Sequence, residues 1–253
     1  MGRSGPGSGK TILLVGIVVV SVFLNIVFFH YGKRFYREHA LVRLDPLGLS
    51  YFSSEDGVVP AHRQHTVVLY GDSRIVDWSV PKVAGTVFVN RGVHSQTTAQ
   101  LFHRYAAHVV PLQPDVVVVQ AGVNDLKALA VFPELYSFLV AQCIGNINRI
   151  VDTATRHHAQ VIITTIFPVG RPPWYKKPFW SPAIARAVRE VNEHIRSLQR
   201  TDVMVLDAWT LLADEHGLLQ DRFAPDELHL NAAGYDELNR GMVKLLMPGE
   251  SRP

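Results

Sequence analysis

Five apolar, β-branched runs recur along this chain, and helix-period patterns fill the spaces between them. The runs are "TVVLY" (66–70), "TVFVN" (86–90), "DVVVVQ" (115–120), "QVIITTI" (160–166) and "VMVLD" (203–207). Several are apolar at consecutive positions rather than alternate ones, as expected of strands covered on both faces. Helices are predicted at about 95–109, 134–158, 182–199 and 232–246. Alternation of this kind specifies an α/β fold: a parallel sheet of about five strands sandwiched by helices. In such sheets the working residues gather beyond the carboxyl ends of the strands. A chain of 253 residues is long enough for one such domain with a well-buried core.

Ahead of this domain, Thr11 to Phe29 reads "TILLVGIVVVSVFLNIVFF", without a charge and with Asn25 as its markedly polar interruption. At helical rise it spans about 28 Å, close to the hydrocarbon thickness of a bilayer. Its exit, "NIVFFHYGKR", lacks the small-residue cleavage pattern of a signal peptide. We therefore expect a single uncleaved signal anchor, a transmembrane helix over 11–29. It should follow a tail at 1–10 and precede a charged, proline-punctuated linker at 30–64. The α/β domain should then occupy 65–248, with a tail at 249–253. Lys33, Arg34, Arg37 and Arg43 outnumber Arg3 and Lys10 across the span, which favours a cytoplasmic domain. A short tail ahead of a large domain is instead the usual layout for export, and an extracytoplasmic domain is the expectation. "SGPGSGKT" is not a phosphate loop: Ser4 stands where the first glycine belongs, and no strand precedes it.

Other classes are excluded by composition. A formal charge of +3 with scattered basic residues does not suit nucleic acid. One cysteine, Cys143, excludes an internal disulfide and a Cys-rich metal site, and the histidines lack ligand spacing. No metal or cofactor is expected.

What stands at the strand ends is chemically specific. The first run ends in "GDSR", the second in "NRGVHS", the third in "AGVNDL", and the fifth is followed later by "APDELHLNAAGY". A serine hydroxyl is a weak nucleophile until a base takes its proton. His229 is the candidate base and Asp226, three residues earlier and on the same side of a turn, the residue that orients it. Glu227 points elsewhere at this spacing. Asn231 caps a helix beginning at Ala232. The backbone amides of Ser73 and Gly92 and the side-chain amide of Asn124 are the candidate donors to a tetrahedral oxyanion. Asp72 is expected to hold the nucleophile turn.

With these blocks in order, the chain resembles the SGNH, or GDSL-type, hydrolase family over about Thr66 to Leu246. "GDS" carries its nucleophile block, the glycine of "NRG" its second, "GVND" its third and "DELH" its last. The resemblance implies a flavodoxin-like three-layer fold and metal-free ester hydrolysis, on substrates from acetylated sugars to lysophospholipids. It assigns Ser73, Asp226 and His229 to the catalytic triad, and Ser73, Gly92 and Asn124 to the oxyanion hole. Arg74 stands where the name-giving motif has leucine. The α/β-hydrolase elbow, G-x-S-x-G, is absent from the sequence.

The expected protein is a membrane-anchored serine esterase acting through an acyl-enzyme on a small-molecule or polymer-borne ester. The same apparatus serves an acyltransferase to a sugar hydroxyl, and an inactive binding module is the remaining alternative. Arg74, His94, Trp174, Tyr175 and Trp180 are the candidate substrate contacts. For His94, and for Arg74 with Arg91, a solvated surface position is the competing reading. The last three aromatics lie in "FPVGRPPWYKKPFWSP" (167–182), read as a sugar platform, a membrane or acyl lip, or a packed connector. Substrate identity and oligomeric state are not legible in the sequence.

Overall fold

The structure is a computed structural model that describes residues 7–53, 65–177 and 180–247. It divides into two compact units, Met1–Pro46 and Leu47–Pro253.

The first unit is one helix, α1 (Gly7–Leu44). It holds an 18-residue window of mean hydropathy 3.0, none of it buried, and is long and apolar enough to cross a membrane. Asn25 Nδ2 donates to Ser21 O at 2.8 Å, so its amide is partnered within the helix. That economy suits an apolar surround, where a loose polar group costs several kcal/mol or more. The helix runs well past Phe29, correcting the linker expected over 30–64. Gly32 costs only about 1 kcal/mol in a helix interior, and the Arg-, Leu- and Ala-containing stretch after it favours helix. Arg34 and Glu38 add an i,i+4 pair at 2.8 Å. Pro46 is the first residue that disfavours continuation, because its ring restricts the residue before it. Residues 47–53 belong to the second unit rather than to a linker. The rest of the expected linker, 54–64, the first part of the N-terminal tail, 1–6, and the C-terminal tail, 249–253, lie outside the described residues.

The second unit is built on five parallel strands, β1 (His65–Gly71), β2 (Thr86–Gly92), β3 (Val116–Gln120), β4 (Gln160–Thr164) and β5 (Val203–Leu206), ordered β2-β1-β3-β4-β5. Their helical connections are α2 (Ser73–Val76), α3 (Thr98–His108), α4 (Val123–Lys127), α5 (Tyr136–Arg156), α6 (Pro182–Ser197), α7 (Ala208–Leu212) and α8 (Ala232–Leu246). Side-chain alternation in the strands feeds two cores. Val68, Tyr70, Val117, Val119, Val161 and Ile163 pack with α3, α5 and α6 on one face. Val67, Leu69, Val116, Val118 and Ile162 pack with α8 and α7 on the other. This is why the runs are apolar throughout, and why the three-layer α/β/α reading holds. Each buried valine or isoleucine contributes roughly 1.5–3 kcal/mol by burial. The strand order reverses at β1, between β2 and β3, and open α/β sheets bind ligands in the crevice at that reversal. Ser73 follows β1 and Asn124 follows β3, one on each side of it.

Candidate active site

Gly71 ends β1, and Asp72 caps α2 by accepting from Arg74 N at 3.0 Å. Ser73 is therefore the first residue of α2, held at the strand end. Its Oγ lies 3.2 Å from His229 Nε2, and His229 Nδ1 lies 2.7 Å from Asp226 Oδ2. An ionised carboxylate only accepts, so Nδ1 carries the imidazole proton and Nε2 faces the serine hydroxyl as acceptor. Asp226 Oδ1 also accepts from the amides of Leu228 at 2.7 Å and His229 at 2.8 Å. Partial burial opposes ionisation of Asp226, but the His229 amide, the His229 ring and the Leu228 amide outweigh it and bring the carboxyl down to about 2. Glu227, in contrast, is buried and binds Lys176 Nζ at 2.5 Å. Asn231 caps α8, accepting from Gly234 N at 3.1 Å, which secures the end of this turn.

Asn124, the second residue of α4, donates one amide hydrogen to Gln96 O at 3.0 Å. Gly92 N–H donates to Asn90 Oδ1 at 2.8 Å. The glycine is also required by close approach. A Cβ there would stand 2.5 Å from Val76 N, inside α2. Asn90 Nδ2 completes the join by donating to Ile75 O at 2.6 Å. Sequence reasoning passed over Asn90 and Ser95. Ser95 is exposed, has a left-handed backbone (φ 61), and immediately precedes Gln96. A non-glycine residue there is uncommon and marks a loop held for a reason.

Arg74 and Arg91 are neither solvated nor offered to substrate, because both are buried. Arg74 Nε donates to Leu228 O at 3.0 Å, its guanidinium lies 5.0 Å from the centre of the Phe167 ring, and Tyr235 Oη donates to Arg74 O at 2.8 Å. It thus ties the nucleophile turn to the Asp226–His229 turn. Burial lowers its pKa, and the charge of Asp72 opposes that shift most strongly. A four-residue motif says nothing about burial, and a planar guanidinium packs on an aromatic face as leucine would pack in a core. Trp180 is also displaced from the expected contacts: it packs against the core on the α5–α6 face. His94 is exposed, and Trp174 and Tyr175 are exposed with rings edge-to-face at 5.9 Å. The 167–182 segment is accordingly mixed. Phe167 and Val169 are core, Gly170 N bonds Glu227 O at 2.9 Å, and residues 178–179 lie outside the described residues. A cleft of about 350 Å³ runs between this segment and the triad turn, lined by Arg171, Tyr175, Lys176, Asp221, Asp226 and Glu227 among others.

Cys143 is buried, and burial raises its thiol well above the usual value, so it is not a competing nucleophile. Among the described residues, no group of three or more His, Cys, Asp or Glu side chains is placed to hold a metal ion.

A parallel three-layer sandwich with a serine, a histidine and an aspartate joined at its strand ends defines a serine hydrolase acting on ester bonds. Residues 64–237 match the model of the GDSL-like Lipase/Acylhydrolase family, and the chain belongs to that family. Among solved structures it is similar to a protein assigned as an acylhydrolase from Bacteroides fragilis NCTC 9343, with 21% identity, 81% of this chain and 98% of that chain covered, and a TM-score of 0.65. It is also similar to a GDSL-like lipase from Bacteroides thetaiotaomicron VPI-5482, with 19% identity, 80% and 98% coverage, and a TM-score of 0.61. An acetylxylan esterase from Geobacillus stearothermophilus shares 18% identity over 71% of this chain and 93% of that chain, with a TM-score of 0.54. No curated protein matches the chain by sequence.

Proposed function

We propose that the chain is a membrane-anchored esterase in which Ser73, His229 and Asp226 act as a catalytic triad on an ester of a polar alcohol, an acylated carbohydrate in particular. The carrying observation is the continuous chain from Ser73 Oγ through the His229 ring to Asp226 Oδ2, at 3.2 and 2.7 Å. Ser73 Oγ attacks the ester carbonyl carbon while His229 Nε2 takes its proton. Asp226, ionised, stabilises the imidazolium. The carbonyl oxygen becomes an oxyanion facing the Ser73 amide and the second amide hydrogen of Asn124. The amide of Gly92, which donates to Asn90 Oδ1, is the third donor of the set. His229 then returns its proton to the leaving alkoxide, releasing the alcohol. Water attacks the acyl-enzyme with the same base, and the acid leaves.

The cleft beside Asp226, with its arginine, lysine, tyrosine and carboxylates, suits a hydroxyl-rich leaving group. Exposed Trp174 and Tyr175 provide flat apolar surface next to it, and His94 is a further contact. Anchoring rests on α1, which is long and apolar enough to cross a membrane. A fluorophosphonate probe should label Ser73, with labelling and p-nitrophenyl acetate hydrolysis both lost in Ser73→Ala. Labelling that survives this change removes Ser73 from the role. An acetylated xylo-oligosaccharide should be turned over faster than a lysophospholipid, and the opposite ranking removes the proposed substrate class.

A further inference from the structure

We propose that residues 47–53, the stretch that follows α1 in the sequence, position the oxyanion donors through Gln96, which makes Gln96 a positioning residue for the reaction. The proposal rests on the esterase reading above and deepens it. Gln96 is almost fully buried in the loop between β2 and α3, and it is tied in three directions. Its Nε2 donates to Leu47 O at 2.8 Å, its Oε1 accepts from Arg104 Nε, and its backbone oxygen accepts from Asn124 Nδ2 at 3.0 Å. One residue therefore joins segment 47–53 to the side chain proposed to meet the oxyanion.

The segment is seated at two further points. Arg104 Nη1 and the His108 ring nitrogen Nδ1 are 3.4 Å apart, and His108 Nε2 lies 3.1 Å from Leu49 O. Arginine only donates, so Nδ1 accepts and Nε2 carries the hydrogen given to Leu49. Phe52 packs edge-on to His108 at 5.2 Å and lies 4.5 Å beneath the Arg91 guanidinium. Arg104 extends the same network to the nucleophile side, since its Nη2 donates to Gly71 O at 3.0 Å and Arg91 O at 2.9 Å. Gly48 shows how closely the segment fits. Its φ is +72°, and a Cβ would stand 2.7 Å from Gln96 Nε2.

The physical reason for coupling is polar satisfaction. A buried amide that loses its acceptor bears the desolvation cost of an unmade hydrogen bond, so the Gln96 side chain and its loop would rearrange. Movement of Gln96 O takes the Asn124 amide with it. Displacements of about 1 Å in such groups cost up to roughly 10²-fold in rate.

The test uses the full-length protein with two variants. Gln96→Glu keeps an acceptor for Arg104 and cannot donate to Leu47 O. Gly48→Ala leaves Gln96 in place and presses on it from the segment. Each should lower kcat for p-nitrophenyl acetate about tenfold with KM changed less than about twofold. Each should also speed amide hydrogen exchange over residues 93–97 while leaving α8 unchanged. The double variant should lose little more than the worse single variant, as residues acting through one contact do. Wild-type kcat and loop exchange in either folded variant, or losses that simply multiply, would overturn the proposal. Wild-type protein with no esterase activity would instead overturn the reading beneath it, and the inference with it.

Discussion

At the scale of single residues, two adjacent carboxylates illustrate how environment assigns a role. Asp226 is exposed, accepts from two amides and holds the His229 ring; Glu227 is buried and neutralised by Lys176. Asp226→Asn should lower kcat by a factor on the order of 10²–10⁴, as wrong-tautomer variants of triads do, and Glu227→Gln by less than about tenfold. Steady-state kinetics on a p-nitrophenyl ester checks the order, and the reverse ranking would give the orienting role to Glu227. Asp226, at about 2, stays charged over the range in which the enzyme is assayed, so kcat from about pH 4 to about pH 8 should show no step from this carboxyl. A pH–rate profile checks this, and a step that disappears in Asp226→Asn would contradict it.

At the scale of elements, one buried carboxylate locks α4 to the start of α3. Asp125 accepts from Thr98 N at 2.9 Å and Thr98 Oγ1 at 2.6 Å, and Thr98 Oγ1 in turn accepts from Asn146 of α5 at 3.2 Å. Burial raises the Asp125 carboxyl from 3.8 to about 6, with the Thr98 bonds opposing. A folded-state pKa above the unfolded one means that the native state binds the proton more tightly. The associated stability is fully present below about pH 3.8 and is lost as pH rises through about 6. The loss is of the order of 2–3 kcal/mol, or roughly 5–10 °C in Tm for a domain of this size. Thermal melts from pH 4 to pH 8 should show wild type declining relative to Asp125→Asn by that amount. Parallel profiles would mean that the carboxyl titrates alike in both states.

At the scale of the whole molecule, the division after Pro46 separates the apolar helix α1 from the unit that carries Ser73, Asp226 and His229. Removing residues 1–46 should yield soluble protein that hydrolyses p-nitrophenyl acetate within about twofold of the full-length rate, because segment 47–53 and its bonds to Gln96 and His108 are retained. A larger loss would mean that α1 contributes to the catalytic fold. Carbonate extraction of the full chain should leave it in the membrane pellet, as a spanning helix requires. Release into the supernatant would contradict anchoring.

Periodicity alone determined the five strands, the four long helices between and after them, and the rim at which chemistry collects, because burial on both faces writes itself into consecutive apolar positions. The Asp226–His229 contact was legible for a related reason: an acid and a histidine three residues apart on a turn form a local pattern, and the two side chains lie 2.7 Å apart. Only tertiary structure decided the remainder. It packed Gly92 against α2, buried Arg74 against Phe167, extended α1 to Leu44, and brought Leu47 to Gln96, 49 residues away. Three of these four are contacts between residues distant in sequence, and no local pattern encodes which polar group will meet which across a sheet. The fourth, the length of α1, turns on small propensity differences and on where a single proline falls.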